Sequence, residues 1–234
     1  MDRLDNFIEL RDVKRLYHSG KVVISALSDV SISINAGELI AITGTSGSGK
    51  STLLQLIGLL DRPSSGEAFF NNQPTSKLSD NQLSSLRNQT IGFVFQSFYL
   101  QPNLTVLDNI MLPAMFGRFN RELAHKRAVK ITETIGLTDK VNSLPSQLSG
   151  GQAQRVAIGR ALMNNPQIIL ADEPTGNLDS KNSALIVNLL KQINRQLKTT
   201  IVMVTHDHAV ADQMDRVIEL SDGHIVRDTV RRPV

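Results

Sequence analysis

The sequence predicts an α/β chain, a parallel-sheet core interrupted by a long helical stretch. Three observations predict it. Short apolar runs at Glu38–Thr43, Ile91–Phe95, Ile168–Ala171 and Thr200–Thr205 read as strands, and strands so poor in charge suit a sheet covered on both faces. Helical segments at Ser51–Leu60 and Asn182–Leu197 alternate with them, which is the order of strand–loop–helix units. Between about 97 and 160 the pattern turns helical and the alternation stops.

Taken in order, Phe7–Leu10 and Val30–Ile34 alternate in the strand manner, and the polar stretch holding Tyr17, His18, Ser19 and Gly20 reads as a turn. The helix Ser51–Leu60 is closed by Asp61-Arg62-Pro63. Ser79 with Gln82 three residues on forms a capping box for a short helix. Within the helical stretch, Thr105–Gly136 has Asn120 as a cap and Gly136 as a stop, and Ser149 caps a further helix that runs to Asn164 before Pro166. Arg216–Leu220, Asp222-Gly223 and Ile225-Val226 read as a closing hairpin.

Composition bounds the function. A chain of 234 residues holds one to two domains at roughly 150 residues each. Hydrophobic residues at 41% and charged residues at 20% describe a globular chain and exclude a disordered one. Lys+Arg at 25 against Asp+Glu at 22 leaves +3, too mild for a nucleic-acid binder. The absence of cysteine excludes disulfide scaffolds, zinc ribbons and thiol nucleophiles, and fits a reducing compartment. No apolar run approaches the roughly 20 residues of a membrane span, and the start, with Asp2, Arg3 and Asp5, shows no secretory core.

The chemistry is carried by three patterns. Gly44-Thr45-Ser46-Gly47-Ser48-Gly49-Lys50-Ser51 matches G-x-x-x-x-G-K-[ST] after a strand and before a helix. Its glycines let the backbone turn N–H groups toward phosphate, and the helix N-terminus adds positive potential. Lys50 supplies a charge for the outer phosphates, and the Ser51 hydroxyl suits Mg²⁺. The strand Ile168–Ala171 then ends in Asp172 and Glu173. Asp172 at that end can reach a metal held by Ser51, and Glu173 is placed to orient or deprotonate a water. Alone, the pair reads equally well as two solvated acids. Last, Leu148-Ser149-Gly150-Gly151-Gln152 is a second Ser/Gly-rich turn that opens a helix. Ser149 suffices as a cap. Two glycines in a first turn cost helix stability, roughly 1 kcal/mol each against alanine, and suggest close backbone approach to another group.

With these three motifs in this order, nearly the whole chain resembles the ATP-binding cassette ATPases. The resemblance implies a single cassette over 1–234: a P-loop NTPase (RecA-like) core from 7–96 and 161–228 with an N-terminal antiparallel β subdomain, and a helical subdomain over 97–160. It implies ATP and Mg²⁺ as ligands, with Thr45, Ser46, Gly47, Ser48, Gly49, Lys50, Ser51 and Thr52 around the nucleotide. Gln96 resembles the family's Q-loop glutamine, which touches the metal beside Ser51 and Asp172 and senses the membrane partner. Asp179, in Asn177-Leu178-Asp179, resembles the D-loop, and His206 the switch histidine at the γ-phosphate. Tyr17 resembles the aromatic residue that stacks on adenine, and it equally suits a strand edge. His206 and His208 could also suggest metal ligands, but no third ligand is evident.

The resemblance further implies a head-to-tail homodimer with the nucleotide sandwiched between Lys50 of one copy and Ser149, Gly150, Gly151 and Gln152 of the other. Permease subunits would dock near Gln96 and the helical stretch, through a minority of Phe98, Tyr99, Leu100, Leu104, Met111, Leu112, Met115 and Phe116, the rest being core. The implied site of action is the cytoplasmic face of the cell (inner) membrane, bound peripherally. Leu59–Glu67, Ile91–Gln96 and Pro174–Ser180 resemble the macrolide-export and lipoprotein-release branch, though the cell-division ATPase of bacteria shares much of this text. A dimerising regulatory module is therefore the alternative to an export ATPase. A DNA-maintenance ATPase is disfavoured, because no sustained heptads lie between Gly44 and Leu148. Two departures from the family pattern are Ala153 after the signature and Gly159 in its helix, where glycine would loosen the helix slightly.

Overall fold

The computed structural model describes residues 7–20, 22–117 and 120–231. β1 (Ile8–Ser19) and β2 (Val22–Ile34) form an antiparallel hairpin. β3 (Leu39–Gly44) leads into α1 (Lys50–Ile57), and β4 (Ser65–Phe70) and β5 (Gln73–Pro74) follow. α2 (Asp80–Thr90) runs into β6 (Ile91–Phe95). The helical stretch comprises α3 (Val106–Met111), α4 (Arg121–Thr134) and α5 (Gly150–Leu162). The chain ends with β7 (Ile168–Asp172), α6 (Ser180–Leu197), β8 (Thr200–Val204), the short α7 (His208–Ala211), β9 (Arg216–Ser221) and β10 (His224–Val230).

These strands build two sheets. One is antiparallel with order β2-β1-β4-β5, and the other has order β10-β9-β3-β8-β7-β6. In the second, β9, β3, β8, β7 and β6 run parallel and β10 closes the edge antiparallel. Its central strands are covered on both faces, as their unbroken apolar character requires. Ile40, Ile42, Ile168, Leu170, Val202 and Val204 join a core with the antiparallel sheet and α1. The alternate residues Leu39, Ala41, Ile169, Ala171, Ile201 and Met203 join a second core with α3 to α6. No helix among the described residues is long and apolar enough to cross a membrane.

Local chemistry sets most boundaries. The Ser79–Gln82 capping box is present, Asn120 caps α4 through the Leu123 amide, and Gly136 takes φ 64° beyond the end of α4. Two expectations need correcting. Tyr17, His18 and Ser19 lie in strand, not in a turn: they pair with Ile24, Val23 and Val22. The hairpin outruns its packed base, so its tip shows no buried-face alternation, and Val22, Val23 and Ile24 are exposed. α1 also stops at Ile57, short of Leu60, because Gly58 and a left-handed Leu59 end it.

Gly159 is a matter of packing. A Cβ there would lie 2.9 Å from Ile135 Cδ1 and 3.1 Å from Ile131 Cγ2, so the glycine is what lets α5 seat against the end of α4.

Candidate functional site

The parallel strands β3, β7, β8 and β6 all end at one edge of the sheet, the edge where open α/β sheets bind ligands. The loop after β3 is held open for an anion. Gly44 (φ 144°) and Gly49 (φ 101°) are both pressed against other backbone. A Cβ would come 2.2 Å from the Leu220 carbonyl at Gly44 and 2.4 Å from the Ala26 carbonyl at Gly49, so no other residue fits. Gly49 is the N-cap of α1 and supplies no side-chain cap, which leaves the first amides of α1 to a ligand. Lys50 donates to the carbonyls of Gly44 at 3.0 Å and Thr45 at 2.7 Å, so its ammonium lies under the loop it serves. Ser48 Oγ is buried with no hydrogen-bond partner among the described residues.

Around this loop is a cavity of about 400 Å³, lined by Ser46, Gly47, Gly49, Lys50, Ser51 and Thr52, by Ile24, Ser25 and Ala26 of β2, and by Glu173 and His206. Asp172 ends β7, and Ser51 and Lys50 are near enough to act on its carboxyl. Burial raises its pKa, the charge of Glu173 adds to the rise, and Ser51 and Lys50 oppose it. A carboxylate and a hydroxyl facing each other beside a lysine form a hard-oxygen pair of the kind Mg²⁺ takes.

Glu173 follows with φ 46°, a left-handed backbone that a non-glycine residue adopts only under constraint. Its amide donates to the Val204 carbonyl at 3.0 Å, which clamps it to the end of β8. Oε1 of Glu173 then lies 3.1 Å from Nδ1 of His206, two residues beyond that strand. An anion bound to the loop would therefore have Lys50 on one side and the Glu173–His206 pair on the other. Among the described residues no group of three His, Asp or Glu could hold a metal, so His206 and His208 find no third ligand.

The second turn lies elsewhere. Ser149 caps α5, accepting from the Gln152 amide, and Gln152 returns a bond to the Ser149 amide, a complete capping box. Gly151 abuts the N-terminus of α6, where a Cβ would sit 2.5 Å from Asn182 Oδ1. The close approach suggested by the paired glycines is thus, at Gly151, an approach within this chain; Gly150 has only ordinary contacts, to Leu178 and Phe98. Asp179 caps α6 through the Asn182 amide, and the two hydrogen bonds from Asn182 lower its pKa. None of Ser149, Gly150, Gly151, Gln152 or Asp179 lines the phosphate-loop cavity.

Two further expected residues are not among those that line that cavity. Gln96 donates to Asn177 Oδ1 at 3.2 Å and Asn177 donates back to the Gln96 carbonyl at 3.1 Å, so its side chain is held by Asn177. Tyr17 donates its hydroxyl to Asp61 Oδ2 at 2.9 Å, and its cross-strand partner Ile24 is the residue that reaches the cavity wall. Sequence reasoning missed Ile24, Ser25 and Ala26 altogether. No local signal marks them, since they enter the site only because the β1–β2 hairpin folds over the loop.

A family model described as ABC transporter matches residues 27–176. The Bartonella quintana (strain Toulouse) protein named "Macrolide export ATP-binding/permease protein MacB" is 43% identical over 231 residues, covering 99% of this chain and 35% of that protein. The Yersinia pestis bv. Antiqua (strain Antiqua) protein "MacB 1" of the same description is 47% identical over 222 residues, covering 95% of this chain and 34% of that protein. The chain thus spans about a third of the length of the curated relatives it matches. Among solved structures, the ATP-binding cassette MJ0796, described as a dimeric post-hydrolysis state bound to ADP and Pi, is 46% identical with a TM-score of 0.87, covering 97% of this chain and all of that one, 100%. The cbiO1 protein from Clostridium perfringens, described as part of the transporter complex cbiONQ, gives a TM-score of 0.87 at 29% identity, covering 97% of this chain and 89% of that one. Fold, motif order and sequence agree: the chain belongs to the ABC transporter family, as one of its ATPase cassettes.

Proposed function

We propose that the chain hydrolyses ATP to ADP and phosphate and so drives transport through a membrane permease at the cytoplasmic face of the membrane. The observation that carries this reading is the convergence of Lys50, Ser51, Glu173 and His206 on one cavity, with the Asp172 carboxyl under the influence of Ser51 and Lys50. The loop amides and Lys50 bind the outer phosphates and offset their charge. Ser51 and Asp172 would hold Mg²⁺, with Gln96 joining them only after leaving Asn177; the bound ion supplies further neutralisation of phosphate charge. Glu173 accepts a hydrogen bond from water and aims it at the γ-phosphorus, in line with the bond to the leaving ADP oxygen. His206 holds the Glu173 carboxylate and would face the γ-phosphate.

Ser149 and Asp179 serve the partner's nucleotide, in a head-to-tail homodimer whose two sites each take one turn from either copy. Their absence from the lining of this chain's own cavity supports that division. The γ-phosphate bridges the copies, and its loss lets them part, which is the mechanical stroke. The stroke has a receiver in a groove of about 480 Å³ lined by Leu60, Phe93, Phe95, Pro113, Phe116 and Arg160. Beside it Tyr99, Met115 and Phe116 are 67%, 76% and 80% exposed, the apolar minority suited to a permease helix, while Phe98, Leu100, Leu104, Met111 and Leu112 are at least partly buried. The relatives' name suggests export of macrolide-like cargo.

Measuring ATP turnover of the wild type and Glu173→Gln tests the reading. The variant is expected to bind ATP with unchanged affinity and to lose about a hundredfold to ten-thousandfold in kcat. Equal turnover in both would remove Glu173 from the mechanism.

A further inference from the structure

Tyr17 belongs to a cluster that no motif predicts. Its hydroxyl and the Arg15 guanidinium share one acceptor, Asp61 Oδ2, at 2.9 Å and 2.7 Å. Arg15 also lies over the Tyr17 ring, 4.5 Å from its centre. Arg15 and Asp61 are half-buried, with side chains 23% and 21% exposed. The loop carrying Asp61 is tied to the same strand a second time, by the Leu16 amide to Ser64 Oγ at 3.0 Å. Asp61 sits between α1 and β4, so this cluster anchors the β1–β2 hairpin to the far end of the helix that the phosphate loop opens.

We propose that Asp61 and Arg15 are positioning residues for nucleotide binding, holding the Tyr17 ring as a preset platform for the base. This rests on the reading of Tyr17 as the base-stacking residue. Three facts support it. Ile24, directly opposite Tyr17 in the hairpin and on the same face, lines the phosphate-loop cavity, so the ring stands at the cavity's rim. A ring free to swing would lose part of its stacking energy to ordering on binding, and the hydroxyl bond to Asp61 removes that freedom beforehand. Arg15 occupies one face of the ring and leaves the other for the base. A half-buried charge pair is a weak source of stability, so its presence beside a binding rim points to orientation.

The test uses the full chain with two ligands, ATP and inorganic tripolyphosphate, which lacks the base. Asp61→Asn keeps the shape but weakens the hold on the hydroxyl and on Arg15. It is expected to weaken ATP affinity and raise KM about threefold to tenfold, with kcat and tripolyphosphate affinity unchanged. In a Tyr17→Ala background the same change should add nothing. If Tyr17→Ala lowers ATP affinity and Asp61→Asn does not, the positioning role is overturned while the base platform stands. If Tyr17→Ala leaves ATP affinity unchanged, the platform itself fails. Should Asp61→Asn weaken ATP and tripolyphosphate equally, or act fully in the Tyr17→Ala background, Asp61 is a structural residue only. Arg15→Lys keeps charge without the planar cover and should fall between wild type and Asp61→Asn; an effect confined to the melting temperature would also overturn the proposal.

Discussion

Two helix N-termini in this chain are rich in serine and glycine, and they are finished in opposite ways. α1 begins at Gly49 in a left-handed backbone with no side-chain cap, beside a buried, unpartnered Ser48 hydroxyl. α5 begins at Ser149 inside a complete capping box, and its neighbour α6 is capped by Asp179. The first leaves its amides to a ligand, whereas the second has begun to satisfy its own. The difference assigns them unequal work. On the proposed reading the open terminus would bind the triphosphate alone, and the capped one would add a preset surface once a second copy brings a nucleotide to it.

Lys50→Ala breaks the open half and carries the largest expected effect. ATP affinity of the isolated chain should fall about a hundredfold or more, since an ammonium within a water-poor loop has no substitute there. Ser149→Ala should leave that affinity within about twofold, and equilibrium binding of ATP to both variants checks the contrast.

The paired glycines of the capped half sharpen the comparison at intermediate size. Gly151→Ala places a methyl group against Asn182, which also holds Asp179 by two hydrogen bonds. Overpacking of this kind costs about 1–3 kcal/mol, and a fall of about 2–10 °C in Tm is expected by calorimetry. Gly150→Ala meets only ordinary contacts and should melt within about 2 °C of wild type.

Asp172 gives the smallest effect and one with a defined pH sign. Its carboxyl is raised above the ordinary range mainly by burial, so the folded chain holds this proton more tightly than the unfolded one. Its contribution to stability is therefore lost as pH rises through the folded pKa, and the ionised group opposes folding at neutral pH. Asp172→Asn should raise the Tm of the nucleotide-free chain at pH 7, as calorimetry would show. The gain should shrink as pH falls below the carboxylate range. Mg²⁺-dependent stabilisation by ATP should disappear in the same variant.

Much of both halves is legible in the sequence because it is local. The loop Gly44–Ser51, the acids ending β7 and the caps Ser79, Asn120 and Ser149 are each written within a few adjacent residues. The alternate burial of Ile40 and Ala41, or of Leu170 and Ala171, follows from a strand covered on both faces. What was not legible joins distant segments. Gln96 is 81 residues from Asn177, and Tyr17 is 44 from Asp61. No period links such pairs. The β1–β2 hairpin was misread for a related reason: its outer half packs on little, so Val22, Val23 and Ile24 carry no alternation to read.

The division of labour between the two termini is tested most directly by sedimentation of Glu173→Gln with ATP, alone and combined with Ser149→Arg. The predicted result is a dimer for the single variant and a monomer for the double variant, with the double variant still binding ATP. A monomer in the first case, or loss of ATP binding in the second, would contradict it.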